Sequence, residues 1–470
     1  MIRRWPAILP VALLLSACAS GQLPAPQIAV PGRFEAPQAD GISASRLDQW
    51  WLLFGDAQLS DLVEHALASA PDARTALARL REAQAVRRGA LTSYNPQGNP
   101  SLSASRSKTE VTGLPAANAA ALGEGSATAL NAGFNVSWEV DLFGRRAAAR
   151  GAADADLAAA RFDYEATRLS LAANVAAQLF GVRGLAAQIA EAEETLRIAQ
   201  ELARIGRVRV TSGLGSESDA ARLDTQLANA QADLVNLKAQ SATARRTLLV
   251  LLGRGTDSLD MLPVDATLPV PPRPPVLTPA ELMVRRPDVR QAQAKLQSAA
   301  GNLRLDQLAL FPRLTLQPGA SYTRVIDPMS YAQNVWTLAT GLLVPVLDRA
   351  RLLSQIGAQT ARGEQAVIAY ELAVQSAYGD AENALTTLSA DLERLERLSY
   401  AEQRARVAFT AQQQGYKAGI VDLDTLLQTE QAWRSARIAL AAIKTSALTE
   451  AVTSFKALGG GWSPEPTSGS

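Results

Sequence analysis

Residues 130–140, Leu130-Asn131-Ala132-Gly133-Phe134-Asn135-Val136-Ser137-Trp138-Glu139-Val140, alternate without a break between apolar and polar side chains. A period of two puts Leu130, Ala132, Phe134, Val136, Trp138 and Val140 on one face of a strand, and the intervening residues on the other. The pattern recurs at Leu314, Leu316, Pro318, Ala320 and Tyr322, set between Thr315, Gln317, Gly319, Ser321 and Thr323. Trp336, Leu338, Thr340, Leu342 and Val344 form a third row with a less polar partner face, and Leu102 and Ala104 among serines mark the remaining strand. Each run is about ten residues, the length a tilted strand needs to cross a hydrocarbon layer.

Two environments satisfy such rows: a soluble sheet covered by helices, or a bilayer on one side and water on the other. The polar faces carry Asn, Ser, Thr, Gln and Gly, as a watery lumen requires, and Trp138, Tyr322 and Trp336 suit interfacial girdles. Four strands cannot close a water-filled barrel, since the smallest closed membrane barrels have eight. Strands that span therefore require several subunits to share one barrel.

The segments around the strands are helical and duplicated. Pro71-Asp72 opens a helical run that ends at Tyr94-Asn95-Pro96, and Arg286-Pro287-Asp288 opens one that ends at Leu310-Phe311-Pro312. Further on, Arg145 matches Arg351, Tyr164 matches Tyr370, Gly213 matches Gly419, and Leu252-Gly253 matches Leu458-Gly459, all at an offset of 206. The earlier pair is offset by 216, so the first copy carries extra length between Pro96 and Arg145. No proline interrupts Ala116 to Leu262 or Val346 to Ser463. Leu185, Ile189, Ala192, Leu196, Ala199 and Ala203 recur at coiled-coil spacing, as do Leu385, Leu388, Leu392 and Leu395. A single helix over residues 147–205 measures roughly 90 Å at 1.5 Å per residue, a rod that projects as a stalk or lines a tube. Each rod is expected to fold back at a glycine turn: Thr211-Ser212-Gly213-Leu214-Gly215-Ser216 and Tyr416-Lys417-Ala418-Gly419-Ile420-Val421-Asp422.

The chain opens as an export signal, with Arg3 and Arg4 before a short apolar stretch that ends in Leu15-Ser16-Ala17-Cys18. Small residues before the chain's only cysteine resemble the bacterial lipoprotein box, which implies the Cys18 thiol as acceptor for a diacylglyceryl group; the other reading is an ordinary signal with an incidental cysteine. Ala19, in place of Asp, leaves such a lipoprotein free to reach the outer membrane. The expected organisation is a signal peptide at 1–17, a lipidated extended tether at 18–45, and a first repeat at 46–262. That repeat has its strand hairpin at about 100–140 and helical hairpin at about 147–252. A Pro-rich linker at 263–279 precedes the second repeat at 280–459, with hairpins at about 313–345 and 350–458, and a tail at 460–470. The fold class is mainly α with a membrane β-barrel portion, four transmembrane strands per subunit plus long coiled-coil helices.

Lys+Arg is 46 against Asp+Glu 45, a net charge of +1, which gives no reason to expect nucleic acid. One His and one Cys exclude a zinc cluster, an Fe–S centre and a disulfide framework within one chain. Gly213-Leu214-Gly215 follows a helix and lacks the dinucleotide fingerprint. His65 is read as a solvated or satisfied histidine. No nucleophile–base pair can be assembled, so no enzyme is expected.

These residues together resemble the outer-membrane factor family, the TolC-like efflux channels, in their lipoprotein branch. The pieces that carry the resemblance are Trp50-Trp51 with Phe54 and Leu59; Ala66-Leu67 and Pro71-Asp72; Asp141-Leu142-Phe143-Gly144-Arg145; Leu251-Leu252-Gly253; Arg285-Arg286-Pro287-Asp288-Val289; Leu310-Phe311-Pro312; Pro345-Val346-Leu347-Asp348; and Tyr416-Lys417-Ala418-Gly419. The second copy departs at Ala350-Arg351, where the family often has Gly-Arg. The resemblance implies a homotrimer with a twelve-stranded barrel in the outer membrane and a helical tube through the periplasm. It implies a periplasmic adaptor and an inner-membrane pump of the resistance-nodulation-division type as partners. It also implies N-palmitoyl and S-diacylglycerol groups on Cys18, no other cofactor, and drugs or other small molecules as cargo. Ducts for metal efflux or type I protein secretion belong to the same frame, and a pore-free adaptor lipoprotein of the envelope is the alternative.

In the family the closed periplasmic end is held by charges and hydrogen bonds near the second helical turn. Tyr416, before the turn glycine Gly419, matches. The family's paired acidic positions fall here on Thr425 and Gln428, with Asp422 and Asp424 close by. Asp422 is read either as part of a carboxylate ring or as a helix N-cap. Arg207 and Arg209, before Gly213, are read either as a solvated helix face or as gate or adaptor contacts.

Overall fold

The computed structural model describes residues 23–37, 44–113, 115, 125–327 and 330–463. The expected signal peptide, the expected lipidation site Cys18 and most of the C-terminal tail lie outside the described residues. Two compact units form: one from Met1–Pro26, Arg81–Ala159 and Ala292–Tyr370, the other from Gln27–Leu80, Ala160–Gln291 and Glu371–Ser470. The units cut across the sequence repeats, each taking equivalent segments from both copies.

In chain order, 3-10 turns at Ala44–Phe54 precede α1 (Ala57–Ser69) and α2 (Pro71–Thr92). Then come β1 (Gln97–Thr109), β2 (Gly125–Val140), α3 (Arg145–Thr211) and α4 (Glu217–Leu251). The second copy supplies α5 (Pro279–Arg285), α6 (Pro287–Leu308), β3 (Arg313–Asp327), β4 (Tyr331–Leu343), α7 (Arg349–Lys417) and α8 (Leu423–Ala457). The duplication is metrical: α2 and α6 have 22 residues each, α3 and α7 have 67 and 69, and α4 and α8 have 35 each. The extra length of the first copy falls between Thr109 and Gly125, where the second copy has a far shorter stretch of sequence between Asp327 and Tyr331.

The first unit holds one antiparallel sheet in the order β1-β2-β3-β4. Its register answers what the separate rows left open. Leu102 pairs with Ala132, Ala132 with Tyr322, and Tyr322 with Asn334; Pro100 pairs with Phe134, Phe134 with Ala320, and Ala320 with Trp336. The apolar rows therefore align on one face of all four strands, since residues directly opposite share a face. Leu102, Phe134, Trp336 and Leu338 on that face are exposed. The other face is polar and self-bonded: the Thr323 hydroxyl donates to Asn131 Oδ1 at 2.9 Å, and Gly319 leaves room for Asn135, whose Oδ1 is 2.8 Å from where a Cβ would stand. Among the described residues, β1 and β4 each have one unpaired edge.

The family motif at residues 141–145 is the device that turns the chain from strand to helix. Asp141 Oδ1 accepts from the backbone N–H groups of Gly144 and Arg145, both at 2.8 Å, and Gly144 takes a left-handed φ of 82° that disfavours a Cβ. Arg145 then pairs with Glu139 at 3.1 Å, and Phe143 packs on Phe311 with ring centroids 5.0 Å apart.

The second unit is organised around Trp50, which is fully buried, stacked on Phe455 at 5.7 Å and edge-on to Phe54 at 5.9 Å. Helices from both copies meet there: Phe180 and Leu179 from α3, Leu248 and Leu249 from α4, Leu385 and Leu388 from α7, Leu448 and Val452 from α8. The Arg-Pro-Asp motif closes this core. Arg286 pairs with Asp288 at 2.6 Å and Asp380 at 3.0 Å, and donates to the carbonyls of Ala377 and Ala457 at 3.4 and 3.3 Å. It thereby satisfies a carbonyl at the end of α8 that the helix leaves open. Gly459 leaves no space for a side chain, because a Cβ there would lie 2.8 Å from the Arg285 carbonyl oxygen.

Two expectations change in this unit. Residues 27–37 of the expected tether are not a free spacer. The Gln27 N–H donates to Glu371 at 2.7 Å, Phe34 stacks on Tyr378 at 5.6 Å, and the Ala36 N–H donates to Glu382 at 2.5 Å. Burial of Phe34 and Ala36 and the two carboxylate acceptors bind this segment to α7. The expected seam of α3 is also broader than a heptad stripe. Ile198, Ala199, Leu202 and Ala203 are buried while Leu196 is only half-buried, because this stretch faces α4, α7 and α8 together rather than one partner.

Candidate functional site at the paired helical turns

The helical turns share one backbone form. Gly213 donates to the Val210 carbonyl at 3.0 Å and Leu214 to the Arg209 carbonyl at 2.8 Å; Gly419 donates to Tyr416 at 3.1 Å and Ile420 to Gly415 at 2.9 Å. This paired pattern is the Schellman helix end, and it requires the left-handed φ of 72° at Gly213 and 78° at Gly419. Ser216 then caps α4 by accepting from the Asp219 N–H at 3.1 Å.

Asp422 caps α8. Its Oδ1 accepts from the Thr425 N–H at 2.7 Å, and its Oδ2 accepts from the Thr425 hydroxyl at 3.0 Å. The Thr425 backbone bond, then its hydroxyl, holds the Asp422 carboxyl below the usual carboxylate range. Of the two readings of Asp422, the helix N-cap is present in the structure.

Arg209, Tyr416 and Asp424 join the two turns. The Arg209 guanidinium lies over the Tyr416 ring, 5.1 Å from its centroid, and Tyr416 is 5% exposed. Asp424 is bridged at 2.7 Å by Arg222, from the start of α4. Arg207 faces Asp224 at 3.8 Å, a solvated pair inside the first hairpin and not a tie between hairpins. Beneath these contacts Ile198, Leu202, Leu223, Phe409, Tyr416, Leu426 and Leu427 form a separate apolar cluster.

A second tie sits further along α8. Arg437 pairs with Glu191 at 3.1 Å, donates to the Thr195 hydroxyl at 2.5 Å, and lies over Trp433 at 4.4 Å. Trp433 stacks on Phe409 at 4.9 Å and donates to Glu402 at 3.0 Å. Arg222, Trp433 and Arg437 escaped the sequence reading. An arginine on a charged helix face carries no mark, but Trp433 and Arg437, one helical turn apart, are a usable cation–π signal.

Glu430 is buried beside this node, with Arg434 at 3.9 Å. Burial pushes its carboxyl up from 4.5, with Arg434 and Arg437 partly opposing. A folded-state value above the unfolded one favours the protonated acid, so its contribution is full below about 4.5 and lost as pH rises through the folded value. Glu430→Gln is therefore expected to raise the thermal midpoint at pH 8 and to leave it unchanged near pH 4. A lowered midpoint at pH 8 would contradict this.

A sheet with one apolar face and two open edges, joined to duplicated helical hairpins with tied turns, defines the class: a subunit of a membrane-embedded channel. The chain belongs to the outer membrane efflux protein family, whose model matches residues 62–254 and 278–460. It is 32% identical over 465 residues to the pyoverdine export outer membrane protein OpmQ of Pseudomonas putida, covering 97% of both chains. It is 26% identical over 469 residues to the cation efflux system protein CusC of Escherichia coli K12, covering 96% of this chain and 98% of the relative. Among solved structures, the outer-membrane channel OprN superposes with a TM-score of 0.81 at 27% identity, over 93% of this chain and 99% of that one. The outer membrane channel CmeC of Campylobacter jejuni shares the fold with a TM-score of 0.82 at 21% identity, over 96% of each chain. The protein is an outer-membrane channel component of an efflux system.

Proposed function

We propose that three copies form a lipid-anchored exit duct, the outer-membrane part of a tripartite assembly with a periplasmic adaptor and an inner-membrane pump of the resistance-nodulation-division type. The observation that carries this reading is the sheet: four strands, an exposed apolar face, and unpaired edges on β1 and β4. An open edge in hydrocarbon leaves backbone groups unsatisfied, so the edges must pair with other copies. Twelve strands then close a barrel wide enough for water, with the Asn-, Ser- and Thr-rich face inside.

The duct works without a chemical step. The turns at Gly213 and Gly419 form its periplasmic end, held closed by Arg209 on Tyr416 and Arg222 on Asp424, with Asp422 shaping α8 rather than ringing the pore. The relatives are named for pyoverdine export, cation efflux, fusaric acid resistance and antibiotic efflux. Such a spread fits a passive duct that accepts small molecules chosen upstream by the pump. Purified protein in a planar bilayer is expected to give discrete conductance steps. A protein that inserts but never conducts, even with Arg209 and Arg222 neutralised, would overturn the duct.

The anchor is Cys18, its thiol alkylated to a diacylglyceryl thioether and its α-amine acylated to an N-palmitoyl amide. Cys18→Ser is expected to abolish incorporation of labelled palmitate. Undiminished labelling would contradict the lipoprotein assignment.

A further inference from the structure

The apolar face of the sheet has two unlike rims. On β1 the row on this face runs Pro100, Leu102, Ala104, Arg106, and on β3 it runs Leu314, Leu316, Pro318, Ala320, Tyr322, Arg324. Each row carries an arginine near the hairpin end, Arg106 on β1 and Arg324 on β3, with Lys108 and Ile326 the next alternate residues outward. All four connections to helices, at Gln97, Val140, Arg313 and Leu343, lie at the other end, where the same face carries Gly98, Val140, Leu314 and Leu342 and no charge.

Leu130 lies opposite both Ala104 and Arg324. Arg106 is therefore two strands across from Arg324 and two residues further out, roughly 12 Å between Cα atoms at standard spacings. Both arginines are exposed, and neither makes an ion pair or hydrogen bond with another described residue. Lys108, next in the β1 row, is paired with Glu110.

An arginine on a hydrocarbon-facing surface is costly at mid-depth and tolerated only near the headgroups. Two such arginines on one rim, beyond Tyr322 and without protein partners, complement an anionic headgroup layer on that side alone. The outer membrane is asymmetric in this way: its outer leaflet is a glycolipid whose sugar headgroup bears phosphates. We propose that Arg106 and Arg324 form a binding site for the phosphates of this outer-leaflet glycolipid, whose acyl chains lie along the apolar rows. The guanidinium fork matches phosphate geometry better than an ammonium does. This site rests on the reading that the sheet crosses the outer membrane with its hairpins outward.

The test uses the full-length protein in mild detergent, with retained lipid counted by native mass spectrometry. The probes are the bis-phosphorylated outer-leaflet glycolipid and its enzymatically dephosphorylated form. The double variant Arg106→Gln, Arg324→Gln is expected to bind the phosphorylated lipid roughly 30-fold more weakly than wild type, about fivefold per cation. The dephosphorylated lipid should bind wild type no better than the double variant binds either lipid, and Arg106→Lys, Arg324→Lys should retain most of the affinity. Equal binding by the Gln variant, equal binding of the dephosphorylated lipid, or displacement by millimolar inorganic phosphate would each overturn the site. Wild type and the Gln variant are also placed in bilayers of phosphatidylethanolamine and phosphatidylglycerol. Channels from both, with glycolipid binding unaffected by the Gln substitutions, overturn the site and spare the duct, whereas failure of both to insert overturns the two together.

Discussion

The double variant Arg209→Ala, Arg222→Ala is expected to shift the channel strongly towards its conducting state, by roughly 10- to 70-fold in the open-to-closed ratio per subunit. Arg209 on Tyr416 and Arg222 on Asp424 are the two contacts that tie the first turn to the second in the region around Gly213 and Gly419. A partly desolvated cation–π contact is worth roughly 1–2 kcal/mol, and a half-exposed ion pair less than about 1 kcal/mol. Losing both removes about 1.5–2.5 kcal/mol of closed-state stabilisation in each copy, and a symmetric gate sums that loss over its copies. The control is Arg197→Ala: among the described residues Arg197 forms its ion pair with Glu194 on its own helix, so it should leave the gate unchanged. Single-channel recordings decide the matter. Unchanged open probability in the double variant would remove these residues from the gate.

Arg183→Leu is expected to destabilise the fold by about 3–5 kcal/mol. Arg183 is 4% exposed in α3, forms an ion pair with the nearly buried Asp56, and donates to Gln58 at 2.9 Å. Removing one partner of a buried pair strands the other charge away from water, which costs more than the pair itself contributes. Asp56 is also the N-cap of α1, accepting from the Leu59 N–H at 2.9 Å. Arg183→Leu combined with Asp56→Ser keeps a capping oxygen and removes the stranded charge, so it should recover most of the loss. Urea unfolding followed by tryptophan fluorescence reads this core directly, since Trp50 and Trp51 belong to it. A single variant as stable as wild type would contradict the account.

The strands were legible because the period of two is local: Leu130 to Val140 needs no partner to be recognised. The duplication was legible for a similar reason, since Gly213 and Gly419 mark helix ends that only a left-handed residue completes. What stayed hidden depends on partners distant in sequence. The seam of α3 moved because its neighbours come from three helices, and the tether proved docked because Glu371 and Glu382, far along the chain, accept its backbone N–H groups. The cap at Asp422 became visible only from where its oxygens point. Arg222 was invisible because its significance lies wholly in Asp424 on another helix.

The central claim is that this sheet is a third of a barrel. Native mass spectrometry of the full-length protein, released intact from mild detergent, tests it most directly. The account predicts a single assembly of three copies. A stable, fully folded species of one copy would contradict it, because the edges of β1 and β4 would then have no strand to pair with.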